Sequence, residues 1–486
     1  MNRSIVTLAC VLVSLLSDGH AQSAKKARNK PAGEIWSAAE YSGSRTPDNL
    51  RIALASKGFT WLSGSPADNE KLSVGKNAQF FGFVGLRYQS GRAANRGVLG
   101  RAFYSIASDT QRKILHEAVL DEADDLTAWW NTRERILRAL EHHLYTGEVI
   151  DAKATAALGA QWSKHNATIA ICEARAFAKL EDTLTAKQRE RLKVWRKDPE
   201  QAQSFGKDAR VEARGLDRSQ RKQLEDLYAK AFSWITGTAR DTEIIPLGQP
   251  AQFFGFVSIR HKSGHAASRG KIAKSFRQLL SPEQSGFLND AVRAEEPVVR
   301  RFLELRHEFL GSLTSLRHDP KSFKLDKTME LAAEMGKFEI QAAIIEAQAY
   351  RMIRQSMTDQ QLVSMMKLRG NYVVNSAQME LLTHEQRGER LAMLCVGCHA
   401  APGRHEPRMV GPSLDGIFDR KIASAKGFGY STALKEAGGG KLWSPALMDR
   451  FLADPKTFAP GTKMEFQGLL NEGDRKALID YLQRLR

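Results

Sequence analysis

The sequence predicts an all-α chain in which two copies of one helical domain precede a third, smaller domain. Four Ser/Thr-x-x-Gln segments have the pattern of capping boxes, which start helices. Apolar residues recur at steps of three and four, as at Val298, Phe302 and Leu305, which is helical spacing. Alternating β-branched runs, typical of strands, are scarce.

Length and composition exclude several classes of protein. The chain has 486 residues, 72 Lys+Arg and 55 Asp+Glu, for a net charge of +17, and only four cysteines. At about 100–200 residues per domain the length predicts about three domains. Beyond residue 20 no apolar run reaches the roughly 18 residues that a membrane span needs. A membrane channel, a disulfide-rich toxin and a fibrous protein are therefore excluded.

Residues 1–21 have the pattern of a secretory signal peptide. Arg3 precedes an apolar stretch of about 12 residues that contains Cys10, and small residues stand at Gly19 and Ala21. We expect cleavage after Ala21 and export to the periplasm, and an uncleaved membrane anchor is the alternative. Residues 22–48 then form a basic linker.

An internal repeat divides most of the remaining chain. Thirteen of nineteen positions are identical between residues 79–97 and residues 252–270, at an offset of 173. The same offset aligns further segments without a gap. We therefore predict helical repeat 1 over residues 49–212 and helical repeat 2 over residues 222–382.

Each repeat contains two of the capping boxes, 77 residues apart. Their hydroxyl and glutamine positions are Ser108 and Gln111, Thr185 and Gln188, Ser281 and Gln284, and Thr358 and Gln361. Paired Leu-Thr-x-x-Gln motifs around a helical hairpin resemble the LTxxQ (Spy/CpxP-like) family of periplasmic proteins. Repeat 1 departs from that motif at Ala107 and Ser108. The resemblance implies a tandem of helical-hairpin domains and a stress-chaperone or metal-sensing role, without assigning site residues.

Cys395-Val396-Gly397-Cys398-His399 is a Cys-x-x-Cys-His motif. Two thiols at this spacing can bond to the vinyl groups of one haem c, and His399 can bind its iron. A redox Cys-x-x-Cys pair or half of a zinc site is the alternative. A zinc site would need two more ligands, and the chain has no second Cys-x-x-Cys.

The segments that follow this motif resemble class I, mitochondrial-type cytochrome c over residues 385–486. The matching segments, in order, are 411–416, 420–421, 427–431, Trp443, 460–466 and 474–482. The resemblance implies Met464 as the second axial ligand and a Pro412 carbonyl that holds the His399 ring. It also implies haem-propionate contacts, from Tyr430, Trp443 and Arg420.

Two positions depart from the cytochrome c pattern. Phe451 stands where a tyrosine usually approaches the ligand sulfur, and Leu391 stands where an aromatic residue usually packs between the terminal helices. Other methionines near the motif are weaker ligand candidates: Met409 lies close to His399 in the sequence, and Met393 and Met448 have core spacing.

Other chemically active residues have structural interpretations. Cys172 aligns with Ile345 and is expected to be a core residue, while His261 and His265 have metal-ligand spacing that repeat 1 does not preserve. Six methionines of repeat 2 are expected in its core: Met329, Met335, Met352, Met357, Met365 and Met366.

These observations favour an exported electron carrier that holds one covalent haem c and is not an enzyme. A periplasmic sensor or chaperone with a redox-sensing haem is the alternative, and a peroxidase would require that Met464 leave the iron. Residues 385–486 carry 16 Lys+Arg and 12 Asp+Glu, or +4 of the total of +17. In an exported chain this charge favours an acidic redox partner or an anionic membrane surface over nucleic acid.

Overall fold

The computed structural model confirms the all-α fold. It describes residues 38–63, 96–236, 260–261, 268–369, 372–373, 383–395, 398–400, 410–466, 468–469 and 471–485. The signal peptide, most of the linker and the repeated segments 79–95 and 252–259 lie outside the described residues. None of the described helices is long and apolar enough to cross a membrane.

The helices of the first repeat region are α1 (Ala38–Ser63), α2 (Arg96–Ile106), α3 (Asp109–Asp121), α4 (Ala123–Thr146), α5 (Ala152–Asp182), α6 (Ala186–Lys197) and α7 (Pro199–Lys207). Those of the second are α8 (Arg218–Thr236), α9 (Arg269–Leu279), α10 (Pro282–His318), α11 (Leu325–Ser356) and α12 (Asp359–Arg369). The C-terminal part contains α13 (His384–Cys395), α14 (Thr432–Gly438), α15 (Pro445–Ala453), α16 (Pro455–Phe458) and α17 (Glu472–Gln483). Short 3₁₀ turns occupy Pro320–Ser322 and Ile417–Asp419, and the two-residue strands β1 (Arg260–His261) and β2 (Tyr372–Val373) pair antiparallel.

The four predicted capping boxes are confirmed. At each, the hydroxyl accepts from the glutamine backbone N–H while the glutamine side chain accepts from the capping residue's N–H. The two glutamines of a repeat also bond to each other: Gln188 Nε2 donates to Gln111 Oε1 at 2.8 Å, and Gln361 Nε2 donates to Gln284 Oε1 at 2.9 Å. The 77-residue spacing therefore brings the starts of two helices together.

The first helix of each predicted repeat packs on the other repeat. Helix α1 lies against α9 and α10 of the second repeat. Helix α8 lies mainly against α2 of the first repeat and also contacts α3, α5 and α6. The equivalent residues Phe276 and Phe103 each contact an aromatic ring of the exchanged helix, with ring centroids 6.3 Å apart for Phe59 and Phe276 and 5.4 Å apart for Phe103 and Tyr228. The sequence repeats and the packing units therefore differ by one exchanged helix.

A buried ion pair joins each exchanged helix to its host. Lys57 Nζ of α1 lies 2.5 Å from Glu346 Oε1 of α11, and Lys230 Nζ of α8 lies 2.5 Å from Glu173 Oε1 of α5. All four side chains are at most 5% exposed. The offset of 173 relates one pair to the other. Removing one member of a buried pair typically costs roughly 3–5 kcal/mol of stability, because it leaves the other charge unpaired.

A second glutamate is buried near each ion pair. Glu122 of repeat 1 caps α3 and separates it from α4, while its equivalent Glu295 lies inside the uninterrupted helix α10. Burial, together with the negative charge of Glu173, raises the pKa of Glu122 to about 8. Burial, together with Glu346, raises the pKa of Glu295 well above its ordinary value.

The two long helices α5 and α11 cross at a pair of glycines. A Cβ atom on Gly159 would lie 2.6 Å from the Gly336 carbonyl oxygen, and one on Gly336 would lie 2.1 Å from the Gly159 carbonyl oxygen. Both glycines are required because a larger residue would push the helix backbones apart. Four long helices of the two repeats, α4, α5, α10 and α11, pack around this crossing.

Residues 391–482 form a separate apolar core in the C-terminal part. Helices α13 and α17 cross where a Cβ on Gly388 would lie 2.2 Å from the Ala477 carbonyl oxygen. Leu391, one turn along α13, is fully buried at 0% exposure. Leucine is smaller than the aromatic residue usual at this position of cytochrome c, but Leu391 is still part of the core.

We expect the Glu122→Gln variant to weaken the dependence of stability on pH. Glu122 has an ordinary pKa of 4.5, so between pH 5 and 7 the folded chain holds a proton that the unfolded chain has lost. The free energy of unfolding should therefore fall as pH rises, by up to roughly 1.4 kcal/mol per pH unit from this group. Urea unfolding followed by far-ultraviolet circular dichroism at pH 5, 6 and 7 should show a shallower slope in E122Q.

The exposed Glu117 on the same helix provides the control, since its side chain is 57% exposed. E117Q should retain the slope of the unaltered protein. An equal slope in E122Q and the unaltered protein would mean that Glu122 does not hold this proton.

Candidate functional site

Helix α13 ends at Cys395, and its last carbonyl organises the following turn. Cys398 N and His399 N both donate to the Cys395 oxygen, at 3.0 and 2.9 Å. Gly411 N then donates to the Cys398 oxygen at 2.8 Å, which returns the chain to the same turn. The two thiols and the imidazole are thereby held next to one another.

The two cysteines of this turn are free thiols rather than a disulfide. Burial raises the pKa of Cys395 to about 12 and the pKa of Cys398 to about 11. Both thiols are therefore protonated and uncharged at neutral pH. Uncharged thiols are compatible with the apolar cleft onto which they open.

His399 is held by a single backbone acceptor. Its Nδ1 lies 2.6 Å from the Pro412 carbonyl oxygen, which is the contact expected from the sequence. Because a carbonyl oxygen can only accept, Nδ1 carries the proton and Nε2 keeps its lone pair. Burial lowers the pKa of His399, so the ring is neutral at neutral pH and can bind a metal ion.

Gly411 provides the space beside this ring. A Cβ at that position would lie 2.5 Å from His399 Cε1 and 2.7 Å from Nδ1. Any side chain at position 411 would displace the imidazole, so the neighbouring glycine and proline together determine where His399 lies.

Met464 is presented by a tight turn after α16. Thr462 N donates to the Ala459 oxygen at 2.9 Å, and Met464 N donates to Thr462 Oγ1 at 3.3 Å. Gly461 has a φ of 97°, a left-handed conformation that favours glycine. The turn directs Met464 to the same cleft as His399.

The cleft encloses about 1340 Å³ of empty space, including the part open to solvent. Cys395, Cys398, His399 and Met464 line it together with mostly apolar side chains. Pro412, Arg420, Tyr430 and Trp443 line it as well, so every site residue named from the sequence borders one cavity.

The polar side chains at the rim have specific partners. Arg420 Nη2 donates to the Ser413 carbonyl, while its Nε is buried without a hydrogen-bond partner. Tyr430 Oη accepts from Ala425 N at 3.3 Å. Trp443 is 8% exposed, and its ring centroid lies 5.2 Å from that of Phe451, so the phenylalanine at this position packs against the tryptophan.

The described residues fit a covalently bound haem. The cleft has two adjacent thiols, a neutral imidazole with a lone pair on Nε2, and a thioether, which together are the donors that such a group requires. The buried and unpartnered Nε of Arg420 can pair with an anionic group at the rim.

The structure also adds residues that the sequence did not indicate. Val363 and Met366 of α12 line the cleft, although they belong to the second helical repeat. Met366 has the core position expected of it, since it is 7% exposed, but no local motif marks its proximity to the cysteines. Only the packing of α12 against the C-terminal domain places it there.

The structure describes some of the other cysteine, methionine and histidine candidates and not others. Cys172 packs against the core of the helical region, as expected, and burial raises the pKa of its thiol to about 12. Met448 is buried at 2% exposure, whereas the prediction of a core position for Met352 is wrong, because Met352 is 39% exposed. Met409 and His265 lie outside the described residues, as do the side chains of Met393 and His261.

Comparison with known proteins supports the same assignment. The family described as Cytochrome c matches residues 385–486. Cytochrome c2 of Rhodoblastus acidophilus is 39% identical over 100 residues, which are 20% of this chain and 90% of that protein. The cytochrome c-type cyt cy of Rhodobacter capsulatus is 41% identical over 97 residues, which are 20% of this chain and 46% of that protein, so the match spans about half of it.

A solved structure, cytochrome cH from Methylobacterium extorquens, is 36% identical and covers 20% of this chain and 96% of that one, with a TM-score of 0.18. The family match, the near-complete coverage of cytochrome c2 and the Cys-x-x-Cys-His turn agree with one another. Through residues 385–486 the chain belongs to the cytochrome c family, whose members carry electrons on haem c rather than catalyse a reaction.

Proposed function

We propose that this protein is a periplasmic c-type cytochrome that carries single electrons on one haem c, with His399 and Met464 as the axial ligands. The observation that carries the proposal is the shared cleft, onto which the two thiols, the His399 ring and Met464 all open. When bound, the haem supplies an iron that alternates between the ferrous and ferric states. Cys395 and Cys398 would hold it covalently.

The chain's own residues account for the suitability of this site for electron transfer. The Pro412 carbonyl fixes the His399 tautomer and increases the basicity of Nε2. A thioether ligand favours the ferrous state and so raises the reduction potential. The apolar lining excludes water, and the rim cation of Arg420, with Tyr430 and Trp443 beside it, would hold the propionates.

Replacing Met464 tests the ligand assignment. Met464→Ala should retain covalent haem but lose the low-spin spectrum of two protein ligands, bind carbon monoxide, and show a reduction potential lowered by part of the roughly 0.8 V range that axial ligands span. Absorption spectra and a potentiometric titration measure these changes. Met448→Leu, in the same cleft, is the control and should leave them unaltered. An unchanged spectrum in M464A would exclude Met464 as the ligand.

We propose export on the pattern of residues 1–21, with cleavage after Ala21. Attachment of haem to a Cys-x-x-Cys-His motif outside the cytoplasm is consistent with this destination. Mass spectrometry of the protein purified from a periplasmic extract should give a chain that begins at Gln22 and carries one haem. A chain that retains residues 1–21, or one found in the cytoplasmic fraction, would contradict the proposal.

An acidic redox protein is the partner that we propose. Exposed lysines at the rim of the cleft, Lys421 and Lys463, provide positive charge next to the proposed haem. Electron exchange with an acidic partner should therefore slow as salt is increased from about 0.01 to 0.3 M. Exchange measured by stopped flow that is insensitive to salt would point to an uncharged contact, and tight binding to anionic vesicles instead would favour a membrane surface.

The helical region is proposed to be a tandem of LTxxQ-like domains that docks a partner, positions the haem domain or acts as a sensor. The reciprocal glutamine bonds between paired capping boxes support its interpretation as two copies of one hairpin unit. Of these roles, positioning has the most direct support, because α12 contributes Val363 and Met366 to the haem cleft.

A further inference from the structure

The C-terminal domain does not present its cleft freely on the side of the two cysteines. Val363 and Met366 of α12 line the cleft together with Cys395 and Cys398. Val410, which also lines the cleft, packs against the core of the helical region. Apolar side chains of α12 therefore form part of the cleft wall, where the C-terminal domain meets the helical region.

A charged pair also joins the two regions. Away from the cleft, Arg138 Nη2 of α4 lies 3.0 Å from Glu389 Oε2 of α13, and both side chains are more than 40% exposed. An exposed pair of this kind contributes little to stability and can be broken without disturbing either core.

We propose that helix α12 is a built-in cover over the cysteine side of the haem cleft, which blocks electron exchange with other proteins through that side while it is docked. The inference rests on the proposed haem site. Its basis is the position of Val363 and Met366 in the cleft lining, on a helix that belongs to the neighbouring domain. A protein partner can approach that side only after α12 has moved away, whereas small inorganic reagents can reach the rest of the cleft.

The contact is suited to release. Among the residues that the structure describes, it comprises a few apolar side chains and an exposed ion pair, while each of the two domains has its own core. Undocking would therefore leave both cores intact. A partner that binds the uncovered cleft more tightly than the covered one would shift the protein towards the open state.

Full-length holoprotein variants test the cover. Val363→Asp introduces a carboxylate into the apolar contact, and we expect electron exchange with a soluble blue-copper protein to become about tenfold faster. Exchange with ferricyanide should change less than twofold. Met352→Asp is the matched control, because Met352 is 39% exposed on α11 and is not part of the cleft lining; its rates should equal those of the unaltered protein.

A charge reversal tests the same contact without altering a buried side chain. Arg138→Glu should accelerate exchange with the blue-copper protein about twofold to fivefold, and the double variant R138E/E389R should restore the original rate. Equal rates in the unaltered protein, V363D and R138E, with unchanged haem spectra, would overturn the proposed cover. A spectrum without two protein ligands in the unaltered protein would instead overturn the proposed haem site.

Discussion

Two buried lysines hold the helical region together. Lys57 and Lys230 each lie on the first helix of one repeat, and each pairs with a glutamate of the other repeat. A buried charge without its partner is strongly unfavourable, so the alternative in which each helix packs on its own repeat would have to provide the same partner. Glu173 and Glu346 are themselves repeat equivalents, so the ion pairs hold each lysine helix on a glutamate helix, while the packing of the surrounding side chains decides which repeat provides it.

Among the described residues, the cytochrome c domain meets the helical region at the wall of its cleft and at the Arg138–Glu389 ion pair. Its core, the α13–α17 crossing and the loop that presents Met464 are all built within residues 383–485. By contrast, Val363 and Met366 of the second repeat line the same cleft as the two cysteines. The site therefore combines a self-contained cytochrome c domain with a wall contributed by a different part of the chain.

Local chemistry made much of this structure predictable. Ser/Thr-x-x-Gln segments satisfy the free backbone groups at a helix start with residues only three apart, so the four helix starts were readable directly. The same holds for Cys395, Cys398 and His399, which one turn brings together, and for Gly461, whose conformation shapes the Met464 turn. The domain boundaries at 212, 222 and 382 remain predictions, and the helix exchange shows that a sequence repeat need not equal a packing unit.

By itself, the sequence determined the all-α class, the helix starts, the haem-binding motif and the ligand candidates, because each depends on residues close in the chain or on a dense family pattern. Tertiary structure alone decided which repeat receives α1 and α8, and that Glu122 and Glu295 lie beside the buried ion pairs. It alone also placed Val363 and Met366 in the lining of the cleft onto which the cysteines open. These features join residues that are distant in the chain, and no local pattern records which distant surfaces bury one another.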